Sequence, residues 1–159
     1  MRTLILDDEE PIVTLLGRIC SGEGHEVTTF TSSTQALGFL ASEPVDLLIT
    51  DMNMPGPDGV EVVRQARQLQ PDIFTLIITG HAGKYPIEEL LKSGTADVMF
   101  KPFHMNELRA RLALAQRRRH LIDTLQKERQ ELQLMSNEMI QGLETELEEA
   151  RKPGTGVRG

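Results

Sequence analysis

Five residues in this sequence stand at equivalent places and could do chemistry together. Asp7 and Asp8 close the apolar run of residues 3–6, and Asp51 closes the run that starts at Val45. Thr79 ends the run 74–79, and Lys101 follows the run 97–100. Three carboxylates brought to one place would repel, and one would be forced to keep its proton unless a cation intervened. Mg²⁺ suits such a set, because it takes carboxylate, carbonyl and water oxygens. Asp7, Asp8 and Asp51 could supply oxygens, with the backbone carbonyl of Asn53 as a further ligand. A carboxylate is also a nucleophile toward phosphorus, and phosphoryl transfer asks mainly for neutralisation of the phosphoryl oxygens. The Lys101 ammonium, a compact charge on a flexible stem, could cover one oxygen. The Thr79 hydroxyl could donate to another. Asp51, the middle one of the three strand ends, is then the residue that attacks, while Asp7 and Asp8 hold metal.

The elements that must position these residues are legible in the apolar pattern. Pro11 sits near the first position of a helix, and Ile12, Leu15, Leu16 and Ile19 recur at helical spacing. Residues 25–30 form a half-polar strand. Residues 31–33 offer an N-cap for a helix carrying Ala36, Leu37 and Leu40. After Asp51 the segment MNMPGPDG is dense in turn formers. Val60, Val63, Ala66 and Leu69 mark a third helix, Ile87, Leu90 and Leu91 a short fourth, and a fifth starts near Asn106. Strand and helix alternate five times, which predicts parallel strands joined by right-handed crossovers in an open, doubly wound α/β sheet. In such sheets ligands bind beyond the carboxyl ends of the strands. All five candidate residues fall at that edge.

The segments LILDDEEP, LLITDMNMPGPDG, LIITG and FKPF, in this order and at these separations, resemble the receiver domain of bacterial response regulators. The resemblance covers roughly residues 1–118. It implies a flavodoxin-like (βα)₅ fold with strand order 2-1-3-4-5, Mg²⁺ at Asp7 and Asp8, phosphorylation of Asp51 by a histidine kinase or phosphotransfer protein, a switch hydroxyl at Thr79, and an essential lysine at Lys101. It also implies a cis peptide before Pro102 and a signalling surface on the fourth helix, fifth strand and fifth helix. The sequence departs from the family at Val98, where an aromatic is common. Valine has a single χ1 and cannot report the site by ring rotation. Phe100 shares its face but lies close to the lysine. Tyr85 and His81, in the loop after Thr79, remain as candidates for the readout, with His81 read as an ordinary loop residue.

From Asn106 to about Ala150 there is no proline and only one glycine, Gly142, among good helix formers. Leu125, Leu132 and Met139 recur every seven residues. Leu114, Leu121 and Met135 fall in the companion register, with Glu128 interrupting it and a stutter near Gly142. A helix of this length spans about 65 Å and needs a partner for its apolar stripe, so a parallel coiled-coil homodimer is expected. The expected organisation is a receiver at 1–118, a coiled-coil extension at 119–150 and a flexible tail at 151–159. In the family such a helix often leads to an output domain, so the chain either lacks one or uses dimerisation as its output. Arg117, Arg118 and Arg119 are read as a solvated face rather than a nucleic-acid or lipid contact.

Charge and composition narrow the classes. Residues 1–116 hold 9 basic and 16 acidic residues, and 117–159 hold 8 of each. An acidic body argues against nucleic-acid binding through it. Cys20 is the only cysteine, which excludes an intrachain disulfide and a thiolate zinc cluster. With no long apolar run or leader pattern, a cytoplasmic protein with no membrane contact is expected. Two other readings compete: a phosphate-independent dimerisation module, and a phosphatase with an aspartyl-phosphate intermediate. The phosphatases expected for the latter carry an Asp two residues after the nucleophile, and here that position is Asn53.

Overall fold

The computed structural model describes residues 1–80 and 85–154. The chain divides into two compact units, Met1–Arg119 and His120–Gly159. In the first, elements alternate as β1 (Arg2–Leu6), α1 (Glu10–Gly22), β2 (Glu26–Phe30), α2 (Ser33–Ser42), β3 (Leu47–Asp51), α3 (Gly59–Leu69), β4 (Phe74–Thr79), α4 (Ile87–Lys92) and β5 (Asp97–Phe100). A last helix, α5 (Met105–Arg151), begins in the first unit and belongs to both.

The five strands form one all-parallel sheet in the order β2-β1-β3-β4-β5, as the resemblance implies. β1, β3 and β4 are buried nearly throughout, which is why they read as continuous apolar runs rather than alternating ones. Alternate residues feed two cores. Leu4, Leu6 and Leu48 pack with Ala36, Leu40, Val62, Val63 and Leu90, so α2, α3 and α4 cover one face. Ile5, Leu47 and Ile49 pack with Leu16, Cys20, Leu108 and Leu112, so α1 and α5 cover the other.

Two helical faces differ from the expected ones. On α1, Val13 is buried and Leu15 is 47% exposed. On α3, Val62 takes the core position and Leu69 is 48% exposed. On α1, Val13 and Leu15 stand about 200° apart around the helix, so only one of them can face the sheet; on α3, the exposed Leu69 is the last residue of the helix. Ser32 caps α2 through the Gln35 N–H, within the expected 31–33. Cys20 is fully buried, and burial pushes its thiol up to about 12, so it is an inert core residue.

Of the arginine cluster, Arg117 is exposed as a solvated face requires, whereas Arg118 and Arg119 are half-buried. Arg118 lies 5.4 Å from the centroid of the Phe74 ring, and Arg119 pairs with Asp46 at 3.1 Å. Asp46 also accepts from the Arg2 backbone N–H at 2.7 Å. A guanidinium on a ring face and a partly buried ion pair hold this part of α5 to the sheet. Only the folded arrangement brings Phe74 and Asp46 to residues more than forty positions away.

His25, 6% exposed, joins the same region. The Gln116 side-chain amide donates to its Nε2 (2.9 Å), so Nδ1 carries the hydrogen and donates to Thr3 Oγ1 (2.8 Å). Burial, and then the charge of the chain's amino terminus, lower its pKa against the opposing pull of Glu23 and Asp46. A lowered histidine keeps its full contribution above the unfolded value of 6.5 and loses it as pH falls below that value toward the folded one. Unfolding midpoints in urea should therefore fall from about pH 7.5 to about pH 5.5 more steeply in the wild type than in His25→Gln.

In the second unit, the α5 residues Leu121, Leu125, Leu132, Leu134, Met135, Met139, Leu143 and Leu147 are each more than half exposed. This is an uncovered apolar stripe interleaved with charges. Among the described residues no helix is long and apolar enough to cross a membrane.

Candidate functional site

Parallel pairing sets the site. Leu6 of β1 lies opposite Thr50 of β3, so the next residues, Asp7 and Asp51, leave the sheet side by side. β1 and β3 flank the point where the chain, having gone outward to β2, turns to build the other half. That is the topological switch point of a doubly wound sheet. Asp7 is 1% and Asp51 7% exposed, whereas Asp8 is exposed. One oxygen from each of the three carboxylates lies within 4.8 Å of the others. Thr79, at the end of β4, pairs with Phe100, and Lys101 is the next residue. The Lys101 backbone N–H donates to the Thr79 carbonyl at 2.8 Å.

Lys101 reaches back over the carboxylates. Its Nζ lies 3.0 Å from Asp7 Oδ2 and 3.4 Å from Asp51 Oδ1. Asp7 Oδ1 accepts from the Glu9 N–H at 2.9 Å. Burial pushes the Asp51 pKa up; Lys101 pulls it down, Asp7 pushes it further up, and the balance is a raised value. Burial acts to lower Lys101, but its hydrogen bond to Asp7 and the charges of Asp51 and Asp7 outweigh that and hold the ammonium above its ordinary value. Among the described residues the site is thus a cluster of acids with one ammonium, that of Lys101, which leaves an excess of negative charge at buried oxygens. This donor set fits a hard divalent cation.

The geometry unites Asp7, Asp8, Asp51 and Lys101. Thr79 is fully buried at the same edge. Asn53 lies two residues beyond Asp51, half-buried in the turn to α3, and its role as a ligand remains an expectation from sequence. The Lys101-Pro102 bond is cis. Val98 is partly buried against the core covered by α2, α3 and α4, while Phe100 is 39% exposed. His81 lies outside the described residues.

Two residues of the site's support have weak sequence signals. Gly59 opens α3, and its N–H donates to the Met52 carbonyl at 2.9 Å. A Cβ there would lie 2.2 Å from the Asp51 carbonyl oxygen and 2.8 Å from Met52 Cα, so only glycine lets α3 start this close to the acidic strand end. Asp58 caps α3, its Oδ1 accepting from the Glu61 N–H at 3.0 Å, and its Oδ2 accepts from the Tyr85 hydroxyl at 3.0 Å. The Asp-Gly pair in the turn segment was the available clue.

A doubly wound parallel sheet with clustered acids and a lysine at its switch point defines a receiver-type α/β protein. The chain belongs to the response regulator receiver domain family, whose pattern matches residues 3–113. Over 107 residues it is 34% identical to the response regulator receiver protein CpdR of Brucella abortus, covering 67% of this chain and 89% of CpdR. It is 33% identical over 103 residues to the DNA-binding transcriptional regulator NtrC of Salmonella typhimurium, covering 65% of this chain but only 22% of NtrC. The chain therefore spans about a fifth of the length of the NtrC proteins it matches. Among solved structures, a response regulator receiver domain protein from Clostridium thermocellum superposes with a TM-score of 0.70 at 29% identity, over 76% of this chain and 98% of that one.

Proposed function

We propose that this receiver accepts a phosphoryl group on Asp51 from a histidine kinase or phosphotransfer protein, in a reaction that requires Mg²⁺. The observation that carries the reading is the buried Asp51 carboxylate, with Lys101 Nζ at 3.4 Å and the oxygens of Asp7 and Asp8 within 4.8 Å. Attack by an Asp51 oxygen forms an O–P bond as the P–N bond of a phosphohistidine breaks, and the imidazole leaves with the electron pair. Lys101 is released from Asp7 and Asp51 to meet one phosphoryl oxygen, and the Thr79 hydroxyl donates to another. Asp7, Asp8, Asp51 and the Asn53 carbonyl would hold Mg²⁺, which would supply neutralisation of charge. Apart from this phosphoryl exchange on its own aspartate, no enzymatic turnover is proposed.

Acetyl phosphate with Mg²⁺ should label the full chain with one phosphoryl group, mapped by mass spectrometry to the peptide containing residue 51. A chelator should prevent it. Label at any other residue, or label that survives chelation, would overturn the reading.

The stripe from Leu121 to Leu147 supports self-association through α5, in line with its heptad spacing. Light scattering should return the mass of two chains, and Leu132→Asp should return that of one. A cytoplasmic location accompanies this function. The DNA-binding role named for NtrC is not extended to this chain.

A further inference from the structure

The described residues connect Asp51 to the start of α4 by a short, taut path. Gly59 is pressed against the Asp51 carbonyl, with room for no side chain, and its N–H holds the Met52 carbonyl at 2.9 Å. Asp58, the residue before it, is fixed at the first turn of α3 through Oδ1. Its other oxygen, Oδ2, accepts from the Tyr85 hydroxyl at 3.0 Å. Tyr85 immediately precedes Pro86, the N-cap of α4, and its ring packs on the same core as Val98 and Val60. One wall of a groove between α3 and α4 is this ring, with Arg64, Glu89 and Lys92 around the rest.

The physical consequence follows from close packing. A backbone contact with no free space transmits a displacement instead of absorbing it. A shift of the strand end at residues 51–52 must therefore move Gly59 and Asp58 together. The Tyr85–Asp58 hydrogen bond joins that turn to the entrance of α4. It lies at a partly exposed groove, where water can replace the lost partner. Val98 offers neither a hydroxyl nor a ring.

We propose that the Tyr85–Asp58 hydrogen bond is a latch that ties α4 to α3 and is released when Asp51 carries a phosphoryl group, making Tyr85 the positioning residue through which the site is read. This rests on the reading of Asp51 as phosphoacceptor. The Asp58 carboxylate raises the Tyr85 pKa through that hydrogen bond, as a carboxylate acceptor should.

The chain supplies its own reporter. Tyr85 is the only tyrosine and there is no tryptophan, so intrinsic emission comes from this residue. A tyrosine whose hydroxyl donates to a carboxylate is quenched, and freeing it restores emission. Asp58→Asn keeps a helix-capping side chain and removes the carboxylate, so it sets the unlatched level. With Mg²⁺ and beryllofluoride as phosphoryl mimic, wild-type emission should rise to the Asp58→Asn level. Asp58→Asn should show no further rise, and Asp51→Asn should stay at the quenched level. Fluorine NMR on the same samples reports bound beryllofluoride. A bound signal with unchanged wild-type emission overturns the latch alone; no bound signal overturns the phosphoacceptor reading and the latch with it. As a second measurement, Tyr85→Phe without beryllofluoride should exchange its α4 amides as fast as the wild type does with it. Exchange as slow as in the free wild type overturns the latch.

Discussion

Asp51→Asn is expected to reduce phosphoryl incorporation from acetyl phosphate to background and, in the absence of divalent cations, to make the folded chain more stable at neutral pH. The first effect follows from removing the proposed nucleophile: an amide oxygen carries no charge with which to attack phosphorus. The second follows from the sign of the Asp51 shift. Its pKa is raised by burial, and by Asp7 beyond what Lys101 offsets. A carboxylate raised on folding favours the native state below its unfolded value of 3.8, and that contribution is lost as pH rises through the folded value. At neutral pH the ionised Asp51 therefore works against the fold, and a neutral isostere removes that cost. Urea unfolding in a chelator should show a higher midpoint for Asp51→Asn than for the wild type. Added Mg²⁺ should stabilise the wild type more than the variant, because the variant has lost one carboxylate from the cluster. An unchanged or lower midpoint in chelator would contradict this account of the site's electrostatics.

Lys101→Met is expected to act in the opposite direction. The ammonium lies 3.0 Å from Asp7 and 3.4 Å from Asp51, both nearly inaccessible. Removing one partner of a fully buried pair costs roughly 3–5 kcal/mol. The Lys101 side chain keeps 21% of its exposure, so water reaches the site and a loss of about 2 kcal/mol in chelator is the better expectation. Methionine conserves the stem's packing, which isolates the charge. Mg²⁺ should recover much of the loss, since a cation at the carboxylates supplies the charge that lysine withdrew. Phosphoryl incorporation should nevertheless remain slow, because the ammonium that would meet a phosphoryl oxygen is gone. Equal stability of the two proteins in chelator, or no recovery with Mg²⁺, would show that Lys101 does not balance these acids.

Asp51→Asn and Lys101→Met together describe a site whose resting charge is only partly compensated. Asp7, Asp8 and Asp51 are held together by the β1–β3 pairing, and Lys101 balances them incompletely. The sheet's buried core, with Ile5, Leu48, Ile49 and Ile77 at 1% exposure or less, provides the rigidity that keeps like charges close. Functional sites commonly hold groups that the fold alone would not choose.

The strand–helix order was determined by the sequence by itself, because burial on two faces writes continuous apolar runs for the strands and helical periodicity between them. The meeting of Asp7, Asp51, Thr79 and Lys101 at one edge follows from the same pattern, since parallel strands carry their carboxyl ends to the same side. The long final helix was legible for a similar local reason: good helix formers with one internal glycine. Only the tertiary structure decided which partners these residues take. Lys101 finds Asp7 across 94 positions, Arg118 finds Phe74 and Arg119 finds Asp46. It also decided that Val13 and Val62 face the sheet while Leu15 and Leu69 do not. The reason is that periodicity records how much surface an element buries, whereas pairing depends on how two elements dock. The same holds for Gly59, whose turn signal is visible in sequence, but whose necessity arises from the Asp51 carbonyl 2.2 Å from where its Cβ would be.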